Sequence, residues 1–537
     1  MNRKAITLTA LAALMSCVQS CNKDQLPVTP NMAITPETTN QLQIAFGKTL
    51  GKALKADPAL RKFLKVESLK RFDQDYDILY QMVKDNSIDG QETLRERLAQ
   101  YASSADELAS IEQLPLLTIF VPSLPGGFSA ETWQPDSQIP SVAIRQIDTN
   151  KVPLFGENGK EAIIQPGDIP GFPVVVIKQN ERVMISAAPT IGNSEIPSFY
   201  RNQQFSFSFT APAFDGLHAG SQAAKQPTLS ASTLGPPNHT TNRVALPPGY
   251  TSEGSEISGP DITAFQIGLA NPGFEWQRDF VYYGLTPTNL RGPLNTNFRE
   301  TIRAFRLSNE GISRMAGYPD DPKNPEVGST SGNASAWTDG SYEFLVAVLT
   351  NAKDGTPPQA NIRFGARPDQ LYYIAYEQYS PWYWPWSTYY RVTTVTPKEF
   401  FPNIPIATWD LKNFGTAWLY HIYEENQTVD VTTTSTVSTT YATNFDLSGT
   451  VFKIGAKFGA SASTTSTNSV TLHYTQGSTD FGEKVSYFYD PIIVSKDQTW
   501  YGGDSYNTYD LAPGGAAGFV FLSVEPYSLD PVENNRY

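Results

Sequence analysis

Cysteine is almost absent: in 537 residues only Cys17 and Cys21 carry a thiol, and both stand within the first 21 positions. Beyond Cys21 the chain can form no disulfide, offer no thiolate nucleophile and build no cysteine metal site. Histidine is nearly as scarce. His218, His239, His421 and His473 are too far apart to share a helical face, and no H-E-x-x-H pair occurs, which argues against a histidine-zinc hydrolase. No G-x-S-x-G elbow, no G-x-x-x-x-G-K-[ST] phosphate loop and no G-x-G-x-x-G after a strand is present, so no cofactor is expected. No segment past the N-terminus approaches the roughly 20 apolar residues of a spanning helix.

Positive charge is also short, with 40 Lys and Arg against 53 Asp and Glu. Residues 1–20 hold Arg3, Lys4 and no acid, so without them 38 cationic side chains face the same 53 acids and the formal charge is −15. That balance argues against nucleic acid, or an anionic lipid surface, recruited by bulk electrostatics.

What is there begins with an export signal. Arg3 and Lys4 form a basic start and Ala5 to Met15 an apolar stretch of signal-peptide length. Leu14-Met15-Ser16-Cys17 and Val18-Gln19-Ser20-Cys21 both resemble the bacterial lipobox. Cys21 is the preferred acylation site, with Cys17 the alternative, because Asn22-Lys23-Asp24 begins a polar tether. The predicted location is the cell envelope, lipid-anchored at the outer membrane, with residues 1–20 as signal peptide and 21–37 as a flexible spacer.

The length bounds the body at roughly three or four domains of about 100–200 residues. Leu42, Phe46, Leu50 and Leu54 recur on one helical face, and Asp57-Pro58 supplies an N-cap and first-turn proline for a second helix. Further helices are predicted over 76–85 and 92–101, making 38–112 a small helical domain. From Leu114 the pattern turns to short β-branched runs broken by Pro and Gly, giving a small β-rich domain over 113–218. A Ser-, Thr-, Gly- and Pro-rich linker is predicted over 219–260, and a β-sandwich-like domain over 261–378 with strands at 262–269, 280–283, 303–307, 342–349 and 371–376. Residues 379–537 are read as an aromatic loop followed by an antiparallel β domain. The expected fold class is mainly β with a small N-terminal helical domain.

Two segments carry the functional expectations. Tyr379 to Tyr390 reads YSPWYWPWSTYY, and Pro381 and Pro385 forbid a regular helix. Trp382, Tyr383, Trp384 and Trp386 could close an aromatic minicore, stack on sugar rings, or anchor at a membrane interface. Residues 429–474 alternate with period two. Val429, Val431, Val437 and Tyr441 alternate with Asp430, Thr432, Thr434, Ser438 and Thr440. Phe452, Ile454 and Phe458 alternate with Lys453, Gly455 and Lys457, and Val470, Leu472 and Tyr474 resume the apolar face. This Ser/Thr-rich stretch resembles the insertion region of aerolysin-type β-pore-forming proteins, which implies a hairpin able to line a transmembrane barrel. An ordinary antiparallel sheet with one solvated face gives the same alternation.

The N-terminal half, especially Phe63 to Asp85, FLKVESLKRFDQDYDILYQMVKD, is similar to surface lipoproteins of Gram-negative bacteria, a resemblance that adds a compartment and no chemistry. Within it Asp73, Asp75 and Asp77 have calcium-loop spacing, but Ile78 and Lys84 stand where Gly and Glu belong. They are read as capping or solvated acids. Glu343 in WTDGSYEF and Glu424 near His421 are the carboxylates to inspect for glycoside hydrolysis, each expected to be a surface or strand-edge acid. The function expected is a binding or surface-interaction module tethered to the membrane through its lipid. A pore-forming effector is the alternative and a glycan-active hydrolase the third, with a glycan or a target membrane as partner.

Overall fold

Thr35 fixes where regular structure begins: its hydroxyl accepts from the Thr38 amide at 3.2 Å, and Pro36 opens the helix Pro36–Ala56. In this computed structural model that helix buries Phe46, Leu50, Ala53 and Leu54 completely. Asp57 then caps the next helix, Pro58–Leu69, accepting from the Ala59 and Leu60 amides at 2.9 and 3.1 Å. The structure describes residues 35–147, 152–156, 160–165, 167–187, 198–218, 250–251, 256–271, 277–289, 292–315, 337–338, 340–350, 359–380, 387–410, 413–414, 417–424, 429–442, 463–476, 479–488, 490–501, 504–512, 516–517 and 519–534.

The fold is mainly β with helices gathered toward the N-terminus. A six-stranded sheet runs in the order Asp77–Leu79, Leu117–Phe120, Val174–Gln179, Ser141–Ile144, Val152–Phe155, Glu161–Ile164. Its one parallel pair joins Ser141–Ile144 to Val174–Gln179, and Val174 to Ile177 are wholly buried, as an unbroken apolar run requires. The first helix lies so close to this sheet that a Cβ on Gly47 would stand 2.3 Å from Ile144 Cδ1. Helices and sheet thus share a first core, which also takes in Trp337, Tyr389 and Val392 from far along the chain.

Two of the helices expected here are shorter than read. Residues 76–85 give the strand Asp77–Leu79 and a single turn, Tyr80–Val83, because Asp77–Leu79 pairs with Leu117–Phe120. Residues 92–101 open with the short strand Glu92–Thr93, folded back on Ser87–Ile88, before the helix Leu94–Ala99. Asp89 and Gly90 both take positive φ, 55° and 73°, in the three-residue connection Asp89-Gly90-Gln91, which the Gln91 amide closes by donating to the Ile88 carbonyl at 3.2 Å.

A second core lies between two antiparallel four-stranded sheets. One is ordered Ile404–Ala407, Arg299–Leu307, Val520–Tyr527, Ala516–Ala517; the other Gln359–Ala366, Tyr342–Leu349, Ala417–Glu424, Thr479–Tyr487. Two segments predicted as strands beside it are helices, Gly259–Ala270 and Gln277–Tyr283. Ser258 accepts from the Asp261 amide at 3.3 Å and Pro260 stands in the first turn, so capping chemistry outweighs the β-branched run Ile262-Thr263. Gln277 ties the second helix to the neighbouring strand, its Oε1 accepting from the Ile492 and Ile493 amides at 3.0 and 2.9 Å.

Candidate functional site

The strands Ala417–Glu424 and Thr479–Tyr487 pair inside the second four-stranded sheet, ending at Glu424 opposite Thr479. A second pairing follows in the chain. Val429–Ala442 and Ser463–Gln476 form fourteen consecutive antiparallel pairs, from Val429 opposite Gln476 to Ala442 opposite Ser463, with no register shift. Among the described residues neither strand pairs with a third.

Register assigns each position to a face, since opposed residues share one and neighbours along a strand alternate. One parity holds Val429, Val431, Val437 and Tyr441 together with Val470, Leu472 and Tyr474, interspersed with Thr, Ser, Asn and Gln. The other holds Asp430, Thr432, Thr434, Thr436, Ser438 and Thr440 with Ser463, Thr465, Thr467, Ser469, Thr471, His473 and Thr475, and Ala442 is its one aliphatic position. Every large apolar residue of the hairpin falls on one face. Fourteen residues at about 3.3 Å each extend roughly 46 Å, and tilted by about 45° they span roughly 33 Å, a bilayer's hydrocarbon thickness.

Phe452, Ile454 and Phe458 belong to the connection 443–462 and lie outside the described residues, as do Trp382, Tyr383, Trp384 and Trp386 of the aromatic segment and Cys17 and Cys21. The ends of that aromatic segment are described. Tyr389 is buried in the first core with its ring 5.4 Å from Phe172, and Tyr379 lies 6.4 Å from Tyr389 with the Arg391 guanidinium 4.2 Å over its ring.

The carboxylates singled out for catalysis are placed differently from the expectation. Glu343 lies on the interior strand Tyr342–Leu349, 8% exposed, and accepts from Arg182 Nε at 3.0 Å. It is a buried structural partner, not a surface acid. Glu424 is likewise buried on Ala417–Glu424, and His421, three residues back on the strand, turns to the opposite face. There His421 Nε2 meets Asp480 at 3.1 Å and Nδ1 meets Glu483 at 3.2 Å, with its ring stacked 4.3 Å from Tyr423.

Asp73, Asp75 and Asp77 are not solvated acids either; all three are buried. Lys178 Nζ stands 3.0 Å from Asp77 and 2.6 Å from Glu181, Asn180 donates to Asp73 at 2.7 Å, and Ser341 donates to Asp75 at 2.9 Å. Arg182 reaches Asp75 at 3.6 Å. Burial raises the Asp73 and Asp77 carboxyls against the pull of Arg182 and Lys178 respectively. Burial would lower the Arg182 guanidinium, but Glu343, Asp75 and Asp73 outweigh it and keep it charged. Lys178 and Arg182 thus stand against these carboxylates, and no metal-binding group is found among the described residues. The run Lys178-Gln179-Asn180-Glu181-Arg182 between apolar strands was the available sequence signal for this cluster.

No family model matches the chain, and neither does any curated protein or solved structure. Its chemistry must therefore be read from its own residues: a buried ion cluster that braces the first core against Glu343, and a fourteen-pair amphipathic hairpin.

Proposed function

We propose that this chain is a lipid-anchored extracytoplasmic protein that acts on a target membrane by inserting the 429–476 hairpin as part of a β-barrel. The observation that carries this reading is the fourteen-pair register that sorts every large apolar residue of the hairpin onto one face. A barrel strand in lipid needs that sorting, because lipid-facing and lumen-facing residues must alternate while all backbone groups pair. The absence of a third paired strand among the described residues favours it over a sheet resting on a core, since a lone two-stranded hairpin is marginal in water.

The test uses dye release from liposomes by residues 22–537, comparing charges placed on the two faces. Val431→Asp with Leu472→Asp should abolish release. Thr434→Asp with Thr467→Asp, on the opposite parity, should leave release intact and shift ion selectivity toward cations. Equal effects of the two pairs, or no release by the parent chain, would sink the reading. The anchor is assigned to Cys21, and acyl labelling of the full chain that survives Cys21→Ser would overturn that assignment.

A binding-module reading is supported by a separate observation. The strand Tyr372–Tyr379 keeps most of its length exposed, with Tyr373 and Tyr376 at its surface. Of the two acids named for the hydrolase reading, Glu343 is buried against Arg182 and Glu424 is buried on its strand, so neither adds support to it.

A further inference from the structure

Beside the exposed strand Tyr372–Tyr379 lies a cleft of about 390 Å³, within the volume range of roughly 300–1,000 Å³ that small-molecule sites occupy. Its walls include the rings of Tyr76, Phe120, Trp337 and Tyr376, and its polar groups include Asp75, Glu131, Arg367 and Asp369. Residues separated by some 300 positions meet here. The cleft floor depends on a missing side chain. Gly340 takes φ +93°, and a Cβ there would stand 2.7 Å from Asp75 Oδ2 and 2.8 Å from Phe120 Cζ.

Most polar groups of the cleft are already held in place. Arg367 forks onto Asp369 at 3.0 and 3.3 Å, and Asp75 accepts from Ser341. Tyr76 donates its hydroxyl to Glu131. Burial pushes the Tyr76 hydroxyl up to about 12, helped by Glu131; burial also raises Glu131, but the hydrogen bond from Tyr76 and others outweigh it and hold that carboxyl low. The Trp337 indole Nε1, sealed from solvent, has no acceptor among the described residues. A buried donor left unpaired costs roughly 1–3 kcal/mol.

We propose that this cleft binds a neutral sugar unit, its hydroxyls bridging the Glu131 and Asp369 carboxylates and the Arg367 guanidinium while its C–H face lies on the Tyr76 and Tyr376 rings. The chemistry of the lining selects this class. Three carboxylates against one guanidinium repel a phosphate, sialic acid or any other anion. An organic ammonium would suit the acids and rings, but it is repelled by the Arg367 guanidinium and has no acceptor to offer a group that can only donate. Hydroxyl groups both donate and accept, so a saccharide satisfies Glu131, Asp369 and Arg367 together, and its apolar face is the complement of the exposed Tyr376 ring. The site is separate from the hairpin and can be assayed without a membrane.

The experiment is a neutral-glycan array probed with residues 22–537, followed by calorimetry with the neutral mono- and disaccharides that bind. Tyr376→Ala and Asp369→Ala serve as variants, since both side chains are surface-exposed and the fold does not depend on them. Each should weaken sugar binding by at least about tenfold, equivalent to about 1.4 kcal/mol, with unchanged circular dichroism. Failure of every neutral saccharide to bind overturns the proposal. So does binding that both variants leave intact, or binding of choline or sialylated glycans in preference to neutral ones.

Discussion

Asp279 sits in the second core with no hydrogen-bond partner for its Oδ1 among the described residues, and burial pushes its carboxyl up to about 8. In the unfolded chain an aspartate ionises near pH 4, so between about pH 4 and 8 the unfolded state sheds a proton that the folded state keeps. The contribution of Asp279 is therefore favourable at low pH and is lost as pH rises toward 8. Lys484, buried with its Nζ donating to the Leu522 carbonyl at 2.5 Å, is pushed down to about 7 by burial and has the opposite sign: its contribution is lost as pH falls from about 10.5 to 7. Below pH 7 Lys484 is protonated in both states and adds no slope, and comparing variant with parent separates Asp279 from the other carboxyls that burial raises. Asp279→Asn should thus stabilise the protein at pH 7 relative to pH 5, by roughly 1–3 kcal/mol, in urea unfolding followed by circular dichroism. An equal difference between parent and variant at the two pH values would show that the carboxyl is solvated. The sequence could not reveal such groups, because burial of an acid is decided by distant partners. Glu343 depends on Arg182, 161 positions away, and Asp73 on Asn180, 107 away.

Elements whose identity is set locally were legible, and those set by competition were not. The helices Pro36–Ala56 and Pro58–Leu69 follow from caps and periodicity that lie within their own sequence. The strands Arg299–Leu307 and Tyr342–Leu349 follow from β-branched and aromatic runs. Gly259–Ala270 was misread because its apolar residues lack a clean helical stripe and its cap, Ser258, sits in a stretch that reads as linker. The Ser258 hydroxyl donates to Asp261 Oδ2 at 2.5 Å as well as accepting the Asp261 amide, and burial holds the Asp261 carboxyl high, with the neighbouring Glu525 adding to it. Ser258→Ala removes both bonds and strands a buried carboxyl, so the loss should exceed the usual cap value of about 1 kcal/mol and reach roughly 2–3 kcal/mol. Ser258→Thr, which keeps the hydroxyl, should recover most of it in the same urea melts. A loss confined to a few tenths of a kcal/mol would mean that helix packing, not the cap, sets this element. Within the hairpin the same logic explains a partial reading: alternation revealed two faces, but only the backbone register shows that 429–442 meets 463–476 and that 443–462 is the connection.

At the scale of the whole molecule, one hairpin cannot complete the function assigned to it. Two strands leave two unpaired edges, and an open edge in hydrocarbon exposes backbone groups at a cost of several kcal/mol each, so only a closed barrel is stable there. The smallest membrane barrels have about eight strands, which requires at least about four copies of this chain, each giving one hairpin. A net charge of −15 for residues 21–537 opposes such assembly in solution, where the copies repel, and the repulsion weakens as salt shortens the screening length to about 8 Å at physiological strength. Gathering copies in the plane of a membrane raises their local concentration, which a lipid tether or a bound glycan would each supply. Release of dye should therefore rise with about the fourth power of protein concentration or more steeply at low occupancy, and should strengthen between low and physiological salt. Oligomers containing four or more chains should be recovered from the same liposomes by mild detergent. Release that grows in simple proportion to protein, with single chains recovered from the bilayer, would mean that the hairpin disturbs lipid packing at the surface and never closes a barrel.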